Sequence, residues 1–240
     1  PSGIVLAIEQ DQHNNLWFSS VDGGVTCFNG KSFKNYSFQQ LKGGNLAHCI
    51  LQDRKGTLWL GLDGSGLLAY KNGKFSQLTL HDDFASNTVY SLFEDRDGSL
   101  WIGTNGNGAF RFDGTNLTHF GIKQGLSHGV VYDITQDMKG DIWFGTYNGV
   151  SCYNGEKFSS YYKKDGLADD MVLCIVEDSS GYLWLGTNNG LSVLSQGRFL
   201  SFTEKDGLIN KGIMSLVKDN QHQIWAGTRN GLSRIMFHPD

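Results

Sequence analysis

Proline is nearly absent from this chain, with 2 residues in 240, and cysteine is sparse at 4. Neither a Pro-rich linker nor a disulfide scaffold is available to it. No run of basic residues occurs and the net charge is −4 with a sequence pI near 6.0. That argues against nucleic acid as a partner, because binding a phosphate backbone needs clustered Lys and Arg. No stretch approaches the 18 or so consecutive apolar residues of a membrane span, and the opening PSGIVLAIEQDQ lacks the basic and apolar regions of a secretory leader. The expectation is a segment that makes no membrane contact of its own, even if it is the mature or excised part of a secreted or tethered protein. Against these scarcities stand 32 glycines and a 39% hydrophobic, 12% aromatic composition. The chain is therefore folded and turn-rich, with enough apolar mass for one all-β domain, expected over 1–240.

Tryptophan falls at 17, 59, 101, 143, 184 and 225, at spacings of 42, 42, 42, 41 and 41. This is an internal repeat. Its approximate bounds are 4–45, 46–87, 88–129, 130–170, 171–211 and 212–240. Six residues before each Trp stands an aspartate (Asp11, Asp53, Asp95, Asp137, Asp178, Asp219). Glycine follows three residues later in four copies, with Asn14 and His222 in the other two. Such a cluster reads as a tight turn between strands. The glycines of LWIGTNGNG, at 100–108, fall in this frame, and no helix follows to make them a phosphate cradle.

Each repeat parses into four short strands, and the turn before the fourth carries Asn29-Gly30, Asn72-Gly73, Asp113-Gly114, Asn154-Gly155 or Gln196-Gly197. These pairs predict two-residue hairpins with positive φ. No window shows convincing helical periodicity. Four antiparallel strands every 41 or so residues predict an all-β fold, a β-propeller of six four-stranded blades, with each Trp filling space between blades. The chain stops after a third strand, LSRIMF. The last blade is then either three-stranded or completed by segments outside this chain.

The pattern D-x-x-G-x-[LI]-W-[IL]-G-T-x-x-G-L followed by [YF]-[ND]-G-x-F-x-x-[YF], clearest at 95–114 and 178–191, resembles the two-component regulator propeller repeat. So does DGL at 165–167 and 206–208. The resemblance covers essentially the whole chain. It implies the extracytoplasmic, periplasmic sensor region of a hybrid histidine kinase, tethered to the membrane through the parent protein, detecting breakdown products of polysaccharides and dimerising through the parent. The chain departs from the full family architecture: it shows no β-sandwich, membrane helix, kinase, receiver or DNA-binding segment. A sensor piece without its output is expected.

In a propeller, the loops that enter the first strands and those between second and third strands gather on one face, where binding residues belong. Two positions vary while their neighbours repeat. Four residues after Trp the copies read Val21, Asp63, Asn105, Tyr147, Asn188 and Arg229; eleven before Trp they read Leu6, His48, Tyr90, Tyr132, Leu173 and Met214. The candidate site is His48, Asp63, Tyr90, Asn105, Tyr132, Tyr147, Asn188 and Arg229, a set of flat amphipathic rings and hydrogen-bonding groups suited to a small polar ligand such as an oligosaccharide. Loop tips in solvent and tyrosines packed between blades are the plainer alternative for any one of them.

No catalytic constellation, cofactor or metal site is expected. Of the seven histidines only His48, His81 and His128 approach the binding face, without metal-ligand spacing. Propeller lyases of the streptogramin-cleaving type use His and Glu near the channel, whereas Glu94 and Glu177 here belong to the turn end. A protein-interaction scaffold is the main alternative to a ligand sensor, and a streptogramin-lyase-like enzyme the lesser one. Cys27 and Cys152 share one repeat position, Cys49 and Cys174 another; buried free thiols are favoured, with Cys27–Cys49 and Cys152–Cys174 disulfides conceivable.

Overall fold

The short apolar runs between Asp turns and Gly loops form strands in the computed structural model, which describes residues 3–21, 24–38, 46–78, 84 and 87–235. They build six antiparallel sheets, the blades of a β-propeller, each with its strands side by side in chain order. The first three blades are β1 (Val5–Gln10), β2 (Leu16–Ser20), β3 (Gly24–Phe28) and β4 (Phe33–Tyr36); β5 (Ala47–Gln52), β6 (Leu58–Leu62), β7 (Leu67–Lys71) and β8 (Lys74–Gln77); and β9 (Val89–Glu94), β10 (Leu100–Thr104), β11 (Ala109–Phe112) and β12 (Leu117–Phe120). The fourth to sixth are β13 (Val131–Gln136), β14 (Ile142–Thr146), β15 (Gly149–Tyr153) and β16 (Phe158–Tyr161); β17 (Val172–Glu177), β18 (Leu183–Thr187), β19 (Gly190–Ser195) and β20 (Arg198–Phe202); and β21 (Ile213–Lys218), β22 (Ile224–Thr228) and β23 (Gly231–Ile235). Among the described residues the last blade has three strands. The chain divides into two compact units, residues 1–119 and 120–240.

In each unit the core lies between consecutive blades. Trp17 and Val25 of the first blade pack on Ala47, Ile50 and Leu60 of the second. Trp184 and Leu191 of the fifth blade pack on Ile213 and Ala226 of the sixth. The glycine two residues after Trp makes this approach close: a Cβ on Gly61 would collide with Cys49 Sγ of its own blade and stand 2.6 Å from Val89 Cγ1 of the next.

Two faces lack this cover. In the first strands, Val89, Val131, Val172 and Ile213 are fully buried, while the matching Val5 is 43% exposed. In the third strands, Val25, Leu67, Ala109, Val150 and Leu191 are fully buried, while the matching Leu232 is 59% exposed.

The turn chemistry departs from the expected pattern in three places. Asn72-Gly73 and Gln196-Gly197 are two-residue hairpins, with Asn72 and Gln196 at φ +51° and +50°. The loops at Asn29, Asp113 and Asn154 are two residues longer. There the side-chain oxygen accepts the N–H groups two and three residues on, as Asn29 Oδ1 does from Lys31 (3.0 Å) and Ser32 (2.8 Å). An Asx capture of the backbone holds a four-residue loop that no two-residue turn could close.

Three 3-10 turns, Ile122–Gln124, Lys163–Asp165 and Glu204–Asp206, were invisible to periodicity because each is three residues long. Each ends on a left-handed glycine (Gly125, Gly166, Gly207) and a buried leucine (Leu126, Leu167, Leu208). The DGL signature is thus a chain reversal that anchors the entry to the next blade.

Candidate functional site

The two variable positions are joined by the backbone in every blade. Eleven residues before Trp, the first strand carries one residue more than the second strand can pair. Val5 and Ala7, for example, face the consecutive Ser20 and Ser19, leaving Leu6 unpaired. The same bulge sets out His48, Tyr90, Tyr132, Leu173 and Met214. A bulge twists the strand and re-aims the extra side chain. Four residues after Trp, the N–H donates to the carbonyl two residues before the bulge: Val21 to Ile4, Asp63 to Leu46, Asn105 to Thr88, Tyr147 to Val130, Asn188 to Met171 and Arg229 to Gly212, at 2.9–3.4 Å. A variable loop residue is thereby tethered beside a variable bulge residue.

In unit 1 this arrangement gathers four candidates around Thr88. Asp63 Oδ1 accepts the Thr88 hydroxyl at 2.8 Å and stands 3.6 Å from His48 Nε2. The Thr88 oxygen in turn accepts Gly64 N–H at 3.0 Å. The His48 ring meets Tyr90 edge-on, centroids 5.0 Å apart, and Asn105 N–H binds the Thr88 carbonyl. Burial, then the charge of Asp63, pushes the Tyr90 phenol up, so it stays a neutral donor. At 3.6 Å the His48–Asp63 contact is an attraction of partly exposed groups rather than a hydrogen bond. Sequence reasoning missed Thr88; it is the one hydroxyl in a column otherwise reading Ile4, Leu46, Val130, Met171 and Gly212.

In unit 2 the candidates form two pairs. Arg229 Nη2 donates to Asn188 Oδ1 at 3.3 Å, and the Tyr147 ring lies 5.2 Å from that of His128. His128 Nδ1 accepts Val130 N–H at 3.0 Å, fixing the ring beside the loop. Tyr132 takes the bulge position of its blade. His81 lies outside the described residues.

At the other end of each blade an Asp–Trp pair braces the first turn. Asp Oδ2 accepts the Trp indole N–H in all six blades at 2.8–2.9 Å. Glu94 accepts Arg54 N–H at 2.9 Å and Glu177 accepts Met138 N–H at 3.0 Å, so both carboxylates tie neighbouring blades. All four cysteines are free thiols; burial pushes Cys49 and Cys152 up to about 12. Among the described residues no three His, Cys, Asp or Glu side chains converge on a point where a metal ion could sit, and no helix is long and apolar enough to cross a membrane.

The profile of the two component regulator propeller matches residues 41–64, 83–106, 125–148, 166–189 and 207–230, half of the chain. No curated protein sequence matches. Among solved structures, the extracellular domain of BT3049 from B. thetaiotaomicron, assigned as a hybrid two component system, is 21% identical with a TM-score of 0.60 over 95% of this chain and 38% of that one. PorZ, a surface component of the type-IX secretion system of Porphyromonas gingivalis, is 19% identical with a TM-score of 0.74, over 95% of this chain and 38% of that one. A catalytically inactive virginiamycin B lyase from Staphylococcus aureus, solved with quinupristin, is 15% identical with a TM-score of 0.76, over 96% and 83%. At these identities the likeness is one of fold, and this chain spans about 38% of the length of the first two.

Proposed function

The chain belongs to the two component regulator propeller family, and on that premise we propose that it is the ligand-binding part of a sensor, taking a small polar molecule, an oligosaccharide by preference, at the bulge end of its blades. The observation that carries this reading is the pairing of bulge and tether: the two positions that differ between blades are the ones the backbone holds together. Scaffold alone asks for no such variety. In unit 1 a carboxylate, an imidazole and a phenol are presented half in water, a donor and acceptor set suited to hydroxyls. The fold likeness to the extracellular BT3049 domain supports a place outside the cytoplasm, with the parent protein supplying tether and output. Binding without turnover is the preferred reading, since Glu94 and Glu177 are engaged between blades and His48 makes no hydrogen bond with Asp63.

Calorimetry against a panel of neutral oligosaccharides tests it. A ligand is expected to bind and to lose about tenfold in affinity in Asp63→Ala if it sits on unit 1, or in Arg229→Ala if it sits on unit 2, the value of one charged hydrogen bond. A panel with no binder, or binders indifferent to both substitutions, refutes the site; a ligand consumed during incubation refutes the sensor in favour of an enzyme.

A further inference from the structure

A second concave site lies in unit 1 at the opposite, turn end of the first two blades, and its lining goes beyond what the scaffold requires. It is a groove of about 560 Å³, within the size range of small-molecule pockets. Trp17, Tyr36, Leu58 and Tyr70 form its apolar part. Trp17 stacks on Tyr36 with centroids 5.5 Å apart, and the Tyr36 and Tyr70 hydroxyls meet at 3.3 Å.

The other junctions within the units serve as internal controls. Where Tyr36 and Tyr70 stand here, the second and third blades place Leu78 and Phe112, the fourth and fifth Tyr161 and Leu194, and the fifth and sixth Phe202 and Ile235. Apolar side chains therefore satisfy the packing, and a hydroxyl on both sides is peculiar to this groove. Burial and their mutual hydrogen bond push the Tyr70 phenol up to about 12, the hydrogen bond being the larger cause, so it remains a neutral donor. Lys34, whose counterparts are Ser76, Ser159 and Leu200, places its ammonium 4.9 Å over the Tyr36 ring.

Charge gives the groove its sign. Lys34, Lys55 and Lys71 line it against a single carboxylate, Asp11. That carboxylate is already committed to the Trp17 indole, to Asn15 and to His13 N–H. None of the three lysines has an ion-pair partner among the described residues. In a protein of net charge −4, this is a local cationic site beside aromatic rims.

We propose that this groove binds a ring compound bearing a carboxylate or sulfate, its ring against Tyr36 and Tyr70 and its anion among Lys34, Lys55 and Lys71. An acidic monosaccharide and an aromatic acid share that chemistry. Titration of the protein, followed by amide chemical shifts, uses D-glucuronate, its neutral isostere D-glucose, and benzoate. Saturable binding of glucuronate or benzoate is expected, with shifts at the lining residues, loss of about tenfold in Lys34→Gln and in Lys71→Gln, and weakening by salt. D-Glucose should bind at least about tenfold more weakly than glucuronate. The double variant Tyr36→Phe, Tyr70→Phe separates the sources: it lowers glucuronate affinity if the hydroxyls read a sugar, and leaves benzoate affinity unchanged. Asp63→Ala, at the other end of the blade, should change neither. The proposal is overturned if no anion binds saturably, if glucose binds as tightly as glucuronate, if both lysine variants bind as the parent does, or if Asp63→Ala removes binding.

Discussion

The Trp101 indole N–H donates to Asp95 Oδ2 at 2.8 Å, and Asp95 is only 3% exposed. The other carboxylate oxygen accepts Asp97 N–H at 3.0 Å and Ser99 N–H at 2.9 Å. One side chain thus closes the turn between β9 and β10 and pins one of the buried indole rings of the core. Arg111 adds to it, lying 5.7 Å from the Trp101 ring and 3.8 Å from Asp95.

Asp95→Ala should therefore cost about 2–4 kcal/mol, since it removes three charge-assisted bonds and strands a buried indole donor. Asp95→Asn should recover part of this, because its amide oxygen can still accept the two backbone N–H groups, whereas its amide nitrogen cannot accept from the indole. The matching change at Asp219, whose partner Trp225 is half-buried, should cost less. Urea denaturation of the three variants gives the comparison; equal losses at the two positions would mean that the turn alone, not the buried indole, sets the cost.

The uncovered faces predict a contrast between equivalent residues. Leu191→Ala should destabilise by about 2–5 kcal/mol and Leu232→Ala by less than about 1 kcal/mol, although both occupy one position of the repeat. Val89→Ala and Val5→Ala should differ in the same direction. A large loss at Leu232 in chemical denaturation would show that something covers that face in solution.

His222 holds φ +63° at the position where four repeats use glycine. The left-handed region costs a residue with a Cβ about 1–2 kcal/mol, partly offset by the chain entropy glycine loses on folding. His222→Gly should raise stability by about 0.5–1 kcal/mol, whereas Asn14→Gly, at φ +61°, should be near neutral because asparagine tolerates this region. Thermal melts of the two variants decide it.

Asp133 fills the bulge-side position that holds Ala7, Cys49, Ser91, Cys174 or Ser215 elsewhere. Burial pushes its carboxyl up to about 7, against the opposing effect of the N–H groups of Ile175 (2.7 Å) and Ile134 (2.9 Å). A group raised on folding keeps its proton in the native state while the unfolded chain has lost it, so stability falls as pH rises from about 4 to about 7 and is level above. Asp133→Ser should flatten that window relative to the parent. Denaturation at pH 4 to 8 measures the difference, and an unchanged slope would mean that Asp133 is ionised throughout.

Much of the fold was legible because the repeat compares the chain with itself. The period of Trp and Asp located the blades, and Asn14 and His222 were recognisable as glycine substitutes. The Asp–Trp bond escaped notice because six residues of separation become a contact only after the hairpin closes. The three wider Asx loops looked like two-residue hairpins because both begin with the same dipeptide. Thr88 was overlooked as an ordinary strand-entry residue, though a lone hydroxyl in an apolar column was the available signal.

The sequence by itself determined the blade plan, its family and the two variable columns, since these depend on local periodicity and on which positions tolerate change. Only the tertiary structure decided that a bulge sets out one column and that a backbone bond tethers the other beside it. It also decided that Tyr36 and Tyr70, 34 residues apart, share one groove. The approach of one blade to the next arises from packing between residues far apart in the chain, and no local spacing encodes it.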